Sequence, residues 1–256
     1  MISYEPKGIL SFLKADLAMI NGSGLSAKDY DSKKDLVASL SFKFDSLANG
    51  KFHLGFGSSV YSGTVRSATN TYFNASSGGF NPNTSSTNID HNFNRNYFGA
   101  NLQLQVDNTF GTTTFKTEYV AGTQPGVGSS ASLKGPTAST SFSSQPMTDL
   151  YLRHFNGYYF WFTQQIAKTP LTALLAYDVY DPNEDVGGEK IGSIGSNTTA
   201  GDIKFSTLGY GLTYTLNSRI KLTLYNEHVE NESTLLPAYT KDLKDNVFTT
   251  RLQYRW

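Results

Sequence analysis

The chain has 256 residues carrying 21 basic and 21 acidic side chains, so no net charge draws it toward nucleic acid or anionic lipid. It has no cysteine, which excludes disulfides, thiolate metal sites and cysteine nucleophiles. Only 38% of the residues are hydrophobic, yet 14% are aromatic and 23 are glycine, a combination that suits a fold with two dissimilar faces better than a disordered chain.

The length allows two ordinary domains or one large β-domain. No apolar run approaches the roughly 18 residues of a membrane-spanning helix. The first residues, MISYEPKGILSFLKADL, lack the basic start, apolar centre and small-residue cleavage site of an export signal. The chain is therefore cytosolic, already processed, or a piece of something longer.

Taken in order, the predicted elements are strands. Residues 11–20 place Leu13, Ala15, Leu17 and Met19 on one side and Lys14 and Asp16 on the other. Residues 35–44 set Leu36, Ala38, Leu40, Phe42 and Phe44 on one side, and Phe52, Leu54 and Phe56 open a third strand. Phe98, Ala100, Leu102, Leu104 and Val106 mark the fourth, and Phe115, Thr117, Tyr119 and Ala121 the fifth. The sixth, residues 151–166, is aromatic on both sides in "NGYYFWF", so its faces stay unassigned. Leu171, Ala173, Leu175 and Tyr177 carry the seventh. The eighth and ninth form a hairpin about the turn 216–219, in which Leu208, Tyr210, Leu212 and Tyr214 precede Ile220, Leu222 and Leu224. The tenth, residues 246–256, puts Phe248, Thr250, Leu252, Tyr254 and Trp256 on one side and Arg251 and Arg255 on the other.

The connections alternate in length. Short turns fall near 45–51, 107–111, 167–170 and 217–219. Polar stretches rich in Ser, Thr, Asn and Gly fall near 21–33, 62–94, 122–149, 181–204 and 230–244. Structureless loops this long argue against a compact soluble domain. Long loops after every second strand are expected instead of an antiparallel up-and-down transmembrane β-barrel, all-β and of about ten strands, forming one domain over residues 1–256. Its apolar side meets lipid and its polar side a water-filled lumen. A soluble β-sandwich also alternates, but its strands are shorter and its turns more evenly spaced.

The last strand, apolar at alternate positions and ending on an aromatic, resembles the C-terminal strand of bacterial outer-membrane barrels. The resemblance implies that Phe248, Leu252, Tyr254 and Trp256 are read by the barrel-assembly machinery. "LKADLAMINGSGLSAKDYDSKKDLVASLSF" and "FNGYYFWFTQQI" through "TLGYGLTYTLNSRIKLTLYNEH" resemble the phosphate-selective porin O and P family, the second stretch matching its last strands. That family implies an outer-membrane porin, sixteen-stranded and usually trimeric, of which this chain is the C-terminal ten strands. A complete, narrow ten-stranded barrel stands as the other reading. The family's phosphate-selecting arginines and lysines lie largely in the half not present here, and none is carried over.

The functional expectation is passive diffusion of small hydrophilic solutes or anions, with no catalytic residue, cofactor or metal. Lys14, Asp16, Lys43, Lys116, Glu118, Lys221, Glu227 and Arg251 are expected to line the lumen, opposed charges nearly cancelling. The competing expectation is a barrel that binds a partner at the cell surface through its long loops, with little transport. "RHFNGYY" holds His154 and Asn156 without a serine in the nucleophile's place, so an outer-membrane enzyme is the weakest reading. Asp181, Asn183, Glu184 and Asp185 offer oxygen ligands without the ordered spacing of a calcium loop, and read as a solvated loop.

Overall fold

The computed structural model describes residues 1–22, 32–128 and 148–255. It is an all-β structure whose strands join in one thirteen-stranded sheet. The strands are β1 (Ile2–Tyr4), β2 (Leu13–Ile20), β3 (Asp35–Leu47), β4 (Phe52–Arg66), β5 (Thr71–Ser76), β6 (Gly79–Thr84) and β7 (Asn92–Asn108). They continue as β8 (Gly111–Gly126), β9 (Leu150–Gln165), β10 (Leu171–Asp181), β11 (Phe205–Thr215), β12 (Ile220–Asn231) and β13 (Val247–Tyr254). The order is β1-β2-β3-β4-β7-β8-β9-β10-β11-β12-β13, and every neighbouring pair along that path is antiparallel.

The ten expected strands correspond to β2, β3, β4 and β7 through β13, joined at one end by the expected tight turns. Three short strands were not expected. β1 is too brief to show a period, and β5 and β6 lie inside the stretch 62–94, in "TYFNASSGGFNPNT", where polar residues hide the alternation. That stretch is also less loop-like than its composition suggests, because β4 runs on to Arg66 and β7 starts at Asn92.

Register assigns every side chain to a face, since directly paired residues point the same way. One face carries Leu40, Phe56, Val60, Phe98, Tyr119, Phe160, Leu175, Leu208 and Leu212, all large, apolar and exposed. The other face carries most of the strands' buried groups, among them Asp35, Val65, Phe93, Gln124, Arg153, Phe155 and Ala176. The strand that resisted assignment is resolved by its pairing. Tyr158, Phe160 and Phe162 lie on the exposed face, and Tyr159 and Trp161 on the inner one.

The sheet curls toward its inner face, and glycine makes the curl possible. Tyr97 and Phe155 sit on either side of Gly122 in register, with ring centroids 5.3 Å apart. Their strands, two steps apart, are separated by about 9.6 Å, so the side chains converge. A Cβ on Gly122 would run into the backbone beneath Tyr97. The same device recurs where Tyr225 lies over Gly209 and Gly211 and reaches Trp161 at 6.0 Å, across two intervening strands.

The exposed apolar row of β10 runs from Leu171 to Val179, after which Asp181 takes the same side. At about 3.4 Å per residue that row is about 27 Å long. On β7 the same side changes from Phe98 to Asn96 and Asn94 toward the loops. Among the described residues the far edges of β1 and β13 have no partner strand, so the sheet is open.

Candidate functional site: the inner face and its covered end

The eight side chains expected along the polar wall all fall on the inner face. Lys14 and Asp16 point there from β2, Lys116 and Glu118 from β8, Lys221 and Glu227 from β12, and Arg251 from β13. Lys43 shares that side on β3, opposite Gly55. They do not form one cluster. Lys14 is 2.7 Å from Glu5 and 4.0 Å from Asp16, which also accepts from Ser3 and, at 3.4 Å, from Ser39. Lys43 pairs with Asp45 at 3.0 Å. Lys116 stands between Gln103 and Trp161, and Glu118 between Asn101 and Tyr159. These exposed pairs are worth little to stability, and their mixed signs give the wall no single polarity.

Nearer the long loops the inner face is more tightly built. The Arg95 guanidinium lies 2.6 Å from Asp35, a pair that spans Gly63 of the strand between them. Tyr61 donates to the Asp35 carboxylate and accepts from Arg95, and Arg95 also donates to the Gly22 carbonyl at 2.7 Å. Tyr97 stacks on Tyr61 at 5.0 Å and donates to Gln124. Asp35 was readable as an inner-face acid. Arg95 was not, because in "NFNRNYF" it shares its side with the aromatics Phe93 and Tyr97 while asparagines take the other, the reverse of the pattern in the strands around it.

A second arginine organises the loop end. Arg153 and Asp202 are both 0% exposed, with Arg153 Nε 2.7 Å from Asp202 Oδ1. The remaining guanidinium nitrogens donate to the carbonyls of Val127 and Gly128, each at 3.0 Å. Asp202 also accepts from Asn183 at 3.0 Å and from the Thr199 backbone at 2.8 Å, closing a capping box on the 3₁₀ turn Ala200–Asp202. Both charged groups of this knot are fully partnered, the condition under which a buried ion pair holds, while the buried Asn183 Oδ1 has no hydrogen-bond partner.

The β5–β6 hairpin is fastened over this knot. It leaves β4, passes the ends of β7 and β8, and pairs in parallel with the start of β9 through Tyr72, Phe73 and Asn74. Phe73 stacks on Tyr151 at 4.3 Å, and Arg153 lies over the Phe80 ring at 5.1 Å. The Phe80 backbone bonds Ser196 at 2.7 Å and accepts from Asn197 at 3.0 Å, which ties the hairpin to the loop between β10 and β11. That loop in turn is held by Glu232, which accepts from Gly188 at 2.7 Å and Lys204 at 2.8 Å. Val186, Ile191 and Ile203 form a small apolar core with Leu236 and Tyr239 beneath it. Loops that the sequence marks only as polar are thus a packed cover over the inner face at one end.

The minor candidates are placed as follows. His154 lies on the outer side of β9 and meets Asp185 at 2.8 Å rather than a serine. Asn156 donates to Glu184 at 2.7 Å, and Asp181 accepts from the Asn183 backbone at 3.1 Å, so the acids of that loop turn to different partners. Among the described residues no three His, Asp or Glu side chains converge as metal ligands. Phe248, Leu252 and Tyr254 share the outer side of β13, at 66%, 71% and 58% exposed, while Trp256 lies outside the described residues. Compared with protein-family models, with curated proteins and with solved structures, the chain finds no match in any of the three.

Proposed function

We propose that this chain forms wall strands of a bacterial outer-membrane β-barrel porin, through whose water-filled interior small hydrophilic solutes and ions diffuse. The observation that carries the reading is the division of the sheet into two faces. Its outer face carries an exposed band rich in Leu, Phe, Tyr and Val, and its inner face holds the eight charged wall groups, with Gln, Thr and the aromatics Tyr97, Tyr159, Trp161 and Tyr225 among them. In water that band would be an aggregation surface far beyond the few hundred Å² usual for a soluble protein. In a bilayer it is the surface required, and strands joined edge to edge satisfy their backbone groups where no water reaches. Diffusion needs no catalytic group. Lys14, Asp16, Lys43, Lys116, Glu118, Lys221, Glu227 and Arg251 bias which ions pass.

The packed cover favours a second reading, a barrel that displays a fixed loop surface to a partner and conducts little. Arg153 and Asp202 give that surface a rigidity that a passing solute does not require. Single-channel recording of the purified protein in a planar bilayer separates the two. Stable steps that scale with salt support the porin. A folded protein that stays silent removes that reading and shifts the function to the loop surface.

A further inference from the structure

The turn between β11 and β12 and the end of β13 bring positive charges together with no carboxylate to balance them among the described residues. In the β12–β13 ladder Lys221 faces Gln253 and Thr223 faces Arg251. The ladder continues one step beyond, because the Arg255 N–H donates to the Arg219 carbonyl at 2.8 Å. Arg219 and Arg255 are therefore a direct cross-strand pair of like charges, on the same side as Lys221 and Arg251. Such a pair is destabilising. The turn is not free to swing away, since Asn217 Oδ1 accepts from the backbone of Arg219 at 2.8 Å and of Ile220 at 3.0 Å.

Five cations elsewhere in the described residues are paired. Lys14, Lys43, Arg66, Arg95 and Arg153 each have a carboxylate within 4.0 Å. Among the described residues Arg219, Lys221, Arg251 and Arg255 have none. Arg219, Lys221 and Arg255 line a groove of about 400 Å³, completed by Ser218, Gln253 and Tyr254. The groove wraps from the inner side of Lys221 to the outer side of Tyr254. The exposed Leu216 and Leu252 each lie two residues along the chain from a lining residue, Ser218 and Tyr254.

We propose that Arg219, Lys221 and Arg255 form a binding site for a phosphate group, and that the group is the headgroup phosphate of a phospholipid whose chains lie on the outer face of β12 and β13. Guanidinium forks match phosphate oxygens in geometry and charge. A bound anion relieves the repulsion between Arg219 and Arg255. The lipid source rests on the membrane reading above; the phosphate site itself does not.

The test uses the full chain in zwitterionic detergent, titrated calorimetrically with inorganic phosphate and, separately, with short-chain phosphatidylglycerol. Native mass spectrometry of protein from phosphatidylglycerol/phosphatidylcholine nanodiscs counts retained lipid. Saturable binding of phosphatidylglycerol, displaced by inorganic phosphate, is expected. Each cation replaced weakens it about fivefold, so the double variant Arg219→Gln/Arg255→Gln binds about 25-fold more weakly. In phosphate-free buffer the double variant should melt higher than the native chain, because the repulsion is gone, and phosphate should raise only the native melting temperature. That second readout keeps the test valid even if lipid affinity is low. Binding of inorganic phosphate without the lipid would keep the site and overturn its source. Equal binding by native and variant, or no response to either ligand, would overturn the site. A silent bilayer recording would leave the detergent titration unaffected.

Discussion

At the loop end Arg153 is enclosed, with a carboxylate at 2.7 Å, two backbone carbonyls at 3.0 Å and an aromatic ring below it. At the short-turn end Arg219 and Arg255 stand opposite each other with no carboxylate partner among the described residues. The same residue type serves two purposes. Where its donors are used within the chain, arginine fastens loops that composition alone would leave loose. Where they are left unused, it keeps a surface ready for an anion from outside. Counting charges could not reveal this, because the whole-chain total is zero.

Removing one half of the loop-end knot should have the largest effect. Arg153→Met leaves Asp202 buried and unpaired, at a cost of about 3–5 kcal/mol. The cost should appear as protease cleavage within 182–204 and 67–91, while far-ultraviolet circular dichroism of the sheet is retained. Pairing it with Asp202→Asn should recover much of the loss. If single and double variants are cleaved alike, the ion pair is not what holds the cover.

Next come the two faces of one strand. Leu212→Arg, in the middle of the outer band, should destabilise the bilayer-embedded protein by about 2–4 kcal/mol. Thr213→Arg, one residue along on the inner face, should cost far less. Equal costs in lipid-based unfolding titrations would mean that the faces have been exchanged or that neither meets lipid.

A smaller loss, about 1–3 kcal/mol, is expected for Gly122→Val, whose side chain must force Tyr97 and Phe155 apart. Gly78→Val, in a turn where a Cβ would meet nothing within 4 Å, is the control. Comparable melting temperatures for the two would show that the ring contact over Gly122 is not needed.

The smallest effect is one of selectivity rather than stability. Charge reversal at Lys116 or Arg251 should move the zero-current potential under a salt gradient toward cation preference. Reversal at Glu118 should move it the other way. Unchanged potentials in all three would remove these groups from the conduction path.

The strands were legible because their signal is local. Leu208, Tyr210, Leu212 and Tyr214 announce their common side without reference to any other segment, and all four are exposed together. The eight polar wall positions follow from the same parity. Arg153 was hidden for the opposite reason. Its partner Asp202 is 49 residues away, in a loop whose Gly, Ser and Thr show no period, and its own strand is aromatic on both sides. The β5–β6 hairpin is not legible because "NASSGG" has a loop composition and its pairing with β9 lies far along the chain. Local alternation reports which way a side chain points. It does not report which distant segment comes to rest against it.

The glycines beneath paired side chains have a further consequence. Gly63, Gly122 and the Gly209–Gly211 pair act as keystones. At each, the joint between two large neighbours fixes the angle at which successive strands meet. Summed around the wall of the proposed barrel, those angles would set its circumference. The bore of the proposed channel would then be set by contacts that no solute touches, and a single methyl group at one joint would be felt as a change in gauge across the whole opening.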